Sequence, residues 1–238
     1  MGTTELETKT LVLLAGGKAS RLNDFLKTDD QVKCLSRFGD MVFIDYLLSQ
    51  AIEAGINHVI VLAGPALESI SAHIKQSSYP IRFSFPKEET RLGTGGALSL
   101  IAPFLDESRF ILSNADTFFD ENPFLFFQER LLGTNSVFLL SSRASHSNAQ
   151  LLQAAKTMHW PDLYNTDEFS YTGIALLNSD VFLNWKSLGL PECCSFEKDV
   201  FPKIKNAAEF YSANFAEIDF GTEDGFRRLQ SILMREVV

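Results

Sequence analysis

The apolar residues of this chain fall into short unbroken runs separated by stretches of helical spacing. Leu11–Ala15 is continuous and apolar, stops at Gly16-Gly17, and reads as a buried strand. Phe43–Ala54 carries apolar residues at helical intervals, with Gly55 placed to stop the helix. His58–Ala63, rich in Val and Ile, is a second buried strand ending at Gly64-Pro65. Leu67–Lys75 reads as a helix and Ile81–Phe85 as extended. A glycine-rich turn then opens a predicted helix over Ala97–Leu105, and Phe110–Ser113 is a further apolar strand. Strands alternating with helices predict parallel pairing through right-handed crossovers. The expected class is α/β, a Rossmann-like, mostly parallel sheet flanked by helices. Ligands of such sheets lie beyond the carboxyl ends of the strands.

The second half is less regular. Ser136–Ser141 and Tyr171–Leu177 read as strands, whereas Ser142–Ser170 has no clear period and is expected to form an acceptor-side lid or small acceptor-binding subdomain. Phe196–Ile204 is a predicted short helix and Phe215–Phe220 an extended segment. Thr222 caps a last helix, Glu223–Met234, with Glu223 and Asp224 in its first turn. No linker divides the chain, so residues 1–238 read as a single domain.

Composition narrows the picture. At 238 residues and 45% hydrophobic, one core can organise the chain, and the 21 phenylalanines read mostly as core filling. A formal charge of −9 argues against a nucleic-acid surface, which needs clustered Lys and Arg, but leaves room for a local nucleotide pocket. Cys34, Cys193 and Cys194 make neither a disulfide framework nor a zinc spacing. Met1–Thr10 is polar and no apolar run approaches membrane-spanning length, so a cytoplasmic protein without membrane contact is expected.

Three clusters carry candidate chemistry. Leu14-Ala15-Gly16-Gly17-Lys18-Ala19-Ser20-Arg21-Leu22 follows the first strand. Its glycines let the backbone approach a phosphate closely, and Arg21 adds a bidentate cation. It is not a Walker loop, because position 12 is Val, and the dinucleotide fingerprint also fails. Glu88-Glu89-Thr90-Arg91-Leu92-Gly93-Thr94-Gly95-Gly96-Ala97 opens a helix with three glycines in four residues, and its N–H groups are expected to face a base or ribose. Ser113-Asn114-Ala115-Asp116-Thr117 ends a short strand with a carboxylate suited to a magnesium ion. A lone Asp is commonly a turn former, so a second carboxylate is needed. Asp219, in Ile218-Asp219-Phe220-Gly221-Thr222, supplies one.

Taken together, these residues resemble the sugar-1-phosphate nucleotidyltransferase family. Its Gly-Gly-x-x-x-Arg-Leu loop is matched by Gly16, Gly17, Arg21 and Leu22, its lysine by Lys33, and its two metal aspartates by Asp116 and Asp219. Leu92–Ala97, Asn114–Phe119, Phe196–Pro202 and Ile218–Thr222 are similar to D-glycero-D-manno-heptose 1-phosphate guanylyltransferases. Mannose-1-phosphate guanylyltransferases share much of this. Phe169–Ala175 is somewhat closer to N-acetylmuramate 1-phosphate uridylyltransferases. Val32 and Cys34 stand where relatives flank the lysine with prolines. Ala115 replaces a glycine, Arg91 a proline, and no Glu-Lys pair precedes Tyr171.

The resemblance implies an enzyme that joins a nucleoside triphosphate, with GTP the first candidate, to a sugar 1-phosphate and releases pyrophosphate. It implies Arg21 and Lys33 as catalytic residues. Leu14, Ala15, Gly16, Gly17, Glu88, Gly93, Thr94, Gly95 and Asn114 are the implied nucleotide contacts. Gly173, Glu197 and Lys198 are implied at the sugar phosphate, with Mg2+ on Asp116 and Asp219. A monomer or homodimer is expected. A nucleotide-sugar-binding regulatory subunit without turnover is the alternative of a different class.

Overall fold

The computed structural model describes residues 8–17, 25, 32–130, 135–142, 169–205, 208–213 and 216–234. Its strands are β1 (Thr10–Leu14), β2 (Arg37–Phe38), β3 (Met41–Val42), β4 (His58–Leu62), β5 (Arg82–Ser84), β6 (Arg109–Asn114), β7 (Thr117–Phe119), β8 (Ser136–Ser142), β9 (Phe169–Asn178), β10 (Ala208–Ala213) and β11 (Glu217–Asp219). Seven of them form one sheet in the order β10-β8-β9-β6-β1-β4-β5. Only β9 runs antiparallel to its neighbours, β6 and β8; the other pairs are parallel. The expected α/β sheet is therefore present, with one reversed strand inside it.

The unbroken apolar runs follow from burial on both faces. Leu11, Leu13, Val59, Val61 and Ile111 face the helix Phe43–Glu53, while Val12, Ile60, Phe110 and Leu112 face Leu98, Ile101, Phe196 and Phe201. Helix Phe43–Glu53 buries Phe43, Ile44, Leu47, Leu48 and Ala51. It ends at Gly55, whose φ of 80° suits glycine, with Gly55 N–H donating to Ile52 O and Ile56 N–H to Ala51 O.

Two predicted helices are not continuous. The segment over Ala97–Leu105 is an α-turn at Gly93–Gly96 followed by 3-10 turns at Ala97–Leu100 and Ala102–Phe104. Pro103 lacks the donor an α-helix needs there. Phe196–Ile204 divides into a π-turn, Phe196–Val200, and an α-turn, Phe201–Ile204, with Pro202 removing a donor at the junction. The last helix, Glu223–Leu233, is capped as expected: Thr222 Oγ1 accepts Gly225 N–H at 3.1 Å. Most of the segment expected to form a lid or subdomain, residues 143–168, lies outside the described residues, as do Arg21 and Phe215. Among the described residues, no helix is long and apolar enough to cross a membrane.

Candidate active site

The carboxyl ends of β1, β4 and β6 open on a cleft of about 250 Å³, lined by the loops that follow these strands and β5. β1 delivers Leu14 and the turn Ala15-Gly16-Gly17. Ala15 N–H donates to Leu62 O at 2.8 Å, tying this turn to β4. A Cβ on Gly16 would lie 3.1 Å from the Ala63 carbonyl carbon, so glycine permits that close approach. Gly16 and Gly17 are exposed to the cleft, and nothing lies within 4 Å of where a Cβ on Gly17 would sit.

β6 delivers Asn114, Ala115 and Asp116 to the same cleft. Asp116 precedes β7, which pairs antiparallel with β11 so that Thr117 faces Asp219. The two sequence-distant aspartates are brought to one end of that ribbon. Aromatic packing fixes the ribbon on helix Phe43–Glu53. Phe220 is fully buried with its ring 4.4 Å from that of Phe43 and 5.5 Å from that of Phe38. Tyr46 stacks on Phe118 and donates its hydroxyl to Phe119 O at 2.6 Å. With Ile218 and Phe220 buried, the alternation of a strand turns Asp219 outward.

Lys33 stands between these acids. It opens the 3-10 turn Lys33–Leu35, closed by Leu35 N–H to Val32 O and Ser36 N–H to Lys33 O, each 2.9 Å. That turn fixes the lysine backbone without flanking prolines. Lys33 Nζ donates to Asp116 Oδ2 at 2.8 Å. Asp219 Oδ1 accepts Gly221 N–H at 2.8 Å. A Cβ on Gly221 would run into Lys33 Nζ and come within 2.9 Å of Asp219 Oδ1, so both side chains occupy the space over this glycine. Among the described residues, no three His, Cys, Asp or Glu side chains converge as a metal site. Two carboxylates still fit a magnesium ion, which takes few protein oxygens and completes its shell with water and phosphate. Cys34 lines the cleft beside Lys33. Burial, and secondarily the Asp116 carboxylate, push its thiol up to about 12.

The opposite wall comes from the loop after β5. Glu88 Oε2 accepts Leu92 N–H at 3.2 Å, and Glu88, Arg91, Gly93 and Thr94 line the cleft. Gly95 does not: it is buried beneath the cleft, and its N–H donates to Cys194 O at 2.9 Å. Gly96 N–H reaches the same oxygen at 3.3 Å. Cβ atoms on Gly95 and Gly96 would strike the backbone of 192–196. The glycine cluster is thus partly explained by chain packing, a use that composition alone does not separate from ligand approach. Thr94 Oγ1 accepts Phe196 N–H at 2.9 Å and donates to Glu197 Oε2 at 3.3 Å, joining this wall to the π-turn.

The residues assigned to the sugar phosphate are dispersed. Glu197 lines the cleft, with Ser195 Oγ donating to its Oε2 at 2.8 Å. Lys198 is exposed and is not among the cleft residues. Gly173, φ 82°, lies under Asn114: a Cβ there would sit 2.6 Å from Asn114 Nδ2. It falls where β9 shifts register against β8, and Thr172 Oγ1 donates to Leu139 O at 2.9 Å across the irregularity. Sequence reasoning missed Leu62, Gly64, Pro65 and Cys34 as cleft residues. The Gly64-Pro65 break directly after a strand was the available signal.

The family model described as nucleotidyl transferase matches residues 10–131, about half of the chain. The chain is 24% identical to a D-glycero-alpha-D-manno-heptose 1-phosphate guanylyltransferase of Campylobacter jejuni, over 90% of this chain and 96% of that one. It is 24% identical to one of Aneurinibacillus thermoaerophilus, over 95% and 99%. Its fold superposes on HddC from Yersinia pseudotuberculosis complexed with GMP-PN, TM-score 0.74 at 18% identity, over 95% of this chain and 100% of that one. On these matches, and on a cleft at the strand ends of the matched segment, the chain belongs to the nucleotidyl transferase family.

Proposed function

We propose that this protein couples GTP to a sugar 1-phosphate, with D-glycero-D-manno-heptose 1-phosphate the first candidate acceptor and mannose 1-phosphate the second. A phosphate oxygen of the sugar attacks the α-phosphorus in line, the bond to the β-phosphate oxygen breaks, and pyrophosphate leaves with the electron pair. Little covalent chemistry is asked of the protein, which aligns anions that repel one another and offsets charge. The observation that carries the reading is that Lys33 and Asp116, paired with each other, line one cleft with the Gly16-Gly17 turn, while Asp219, which is not among the cleft-lining residues, reaches the Lys33 ammonium group over Gly221. The names of the full-length relatives support the guanine nucleotide and the heptose.

In this reading, Lys33 holds the α-phosphate and Arg21 the leaving pyrophosphate. Leu14, Ala15 and the amides of Gly16 and Gly17 cradle the triphosphate. Glu88, Gly93, Thr94 and Asn114 contact the nucleoside. Asp116 and Asp219 would hold a magnesium ion, which neutralises phosphate charge when bound. Glu197 reaches the acceptor from its hydrogen bonds to Ser195 and Thr94. Lys198 meets the acceptor phosphate only if its exposed side chain turns inward.

Pyrophosphate release from GTP, ATP, CTP and UTP, each paired with heptose, mannose and N-acetylmuramate 1-phosphates, tests the proposal. Turnover highest with GTP and heptose 1-phosphate is expected. Turnover with UTP and N-acetylmuramate 1-phosphate would move the chain to the uridylyltransferase reading. Nucleotide binding without release in every pairing would leave a regulatory subunit.

A further inference from the structure

The loop after β5 presents opposite charges three positions apart, Glu88 and Arg91, and both line the cleft. Glu88 is fixed: its Oε2 accepts Leu92 N–H, and its Oε1 lies 3.4 Å from where a Cβ on Gly64 would sit. Arg91 is exposed and has no hydrogen bond or ion pair with any described residue. Its guanidinium is free to meet whatever enters. Sheet order fixes which part of a nucleotide that is. In β6-β1-β4-β5, the strand leading to Glu88 and Arg91 lies three spacings from the strand leading to Asp116, about 14 Å at ordinary sheet geometry. A nucleotide with phosphates at Asp116 and Lys33 places its base toward the β4 and β5 loops.

We infer that Arg91, acting opposite Glu88, is a specificity-determining residue that selects guanine. The inference rests on the GTP reading above. A guanidinium donates in bidentate fashion to two neighbouring acceptors, and guanine offers O6 and N7 side by side. A carboxylate accepts from the adjacent N1–H and N2–H donors of the same base. Adenine reverses both contacts: its N6 amine faces the guanidinium, and its N1 lone pair faces the carboxylate. Pyrimidines lack N7 altogether. The pair therefore attracts guanine and repels adenine by the same two charges.

Replacing one acceptor atom of the base separates this role from a structural one. Turnover of wild type and Arg91→Met is measured as kcat/KM for GTP, 7-deaza-GTP, ITP and ATP with one sugar 1-phosphate. Wild type should lose about tenfold or more on 7-deaza-GTP, which lacks the N7 acceptor. Arg91→Met should lose a similar factor with GTP and show little further loss with 7-deaza-GTP. ITP, without the N2 amine, should penalise both proteins alike, because Glu88 remains. Equal use of GTP and 7-deaza-GTP by wild type, or an undiminished 7-deaza penalty in Arg91→Met, overturns the inference and leaves the transfer reaction intact. A wild-type preference for another triphosphate removes the GTP reading and this inference together.

Discussion

Lys33 Nζ lies 2.8 Å from Asp116 Oδ2, with the two side chains 15% and 29% exposed. Their residues are 83 positions apart and come from a 3-10 turn and the end of a central strand. A charge-assisted hydrogen bond of this kind holds an ammonium group beside an acid in a partly shielded cleft. Lys33→Met should keep the fold at a cost of about 1 to 3 kcal/mol, between the scale of an exposed pair and that of a fully buried one. Turnover should fall about a hundredfold or more, the scale for losing a charged contact that strengthens in the transition state. Pyrophosphate release and a thermal melt on the same preparation check both halves.

Gly221 offers a sharper perturbation of the same group. An alanine Cβ there meets the far end of the flexible Lys33 side chain and Asp219 Oδ1, not backbone. Gly221→Ala should therefore stay folded, with Tm within about 4 °C of wild type, while turnover drops about tenfold or more. A folded variant with normal turnover would mean that the crowding over Gly221 has no bearing on the reaction.

Gly96→Ala should behave in the opposite way. Its Cβ would collide with the Glu192 carbonyl oxygen, and backbone cannot step aside as a lysine can. The expected cost is about 2 kcal/mol or more, in line with overpacking a buried contact. Denaturant unfolding of Gly96→Ala and Gly221→Ala side by side measures the contrast.

Alkaline pH should weaken the fold. Burial pushes the Cys34 thiol from an ordinary 9.0 to about 12. Burial, with Asp45 beside its hydroxyl, pushes Tyr79 from 10.0 to about 12. Both groups keep their protons in the folded chain while the unfolded chain releases them. The contribution of these two groups is thus constant below about pH 9 and falls as pH rises from 9 toward 12. Cys34→Ala with Tyr79→Phe should flatten that decline in a series of denaturant midpoints. Exposed Cys193 should react with a thiol reagent in the folded protein, and buried Cys34 only after unfolding.

Much of this fold was legible from the chain itself, for identifiable reasons. Residues 11–14 of β1, 59–62 of β4 and 110–112 of β6 are apolar without interruption because helices and turns cover both faces, and such runs are conspicuous in a sequence. The reversal of β9 was not legible, since one apolar run reads alike in either direction. The segment over Ala97–Leu105 looked helical by spacing, yet Pro103 divides it into 3-10 turns. Arrangement of the site was harder still. Asp219 comes to the end of the ribbon next to Asp116 through the β7·β11 pairing, with Phe220 packed on Phe38 and Phe43, a long-range cause that no local pattern carries. Phenylalanines that read as general core filling are, at these positions, what places a carboxylate. Gly95 and Gly96 misled because close backbone packing and close ligand approach ask for the same residue.

Asp116→Asn bears most directly on the central claim, because it removes one negative charge and almost no volume from the carboxylate that Lys33 Nζ meets in the cleft. Initial rates of pyrophosphate release are measured for wild type and variant at saturating magnesium, GTP and heptose 1-phosphate, with the melting temperature recorded alongside. A folded variant slower by about a hundredfold or more is the predicted result. A folded variant turning over at near the wild-type rate would contradict it.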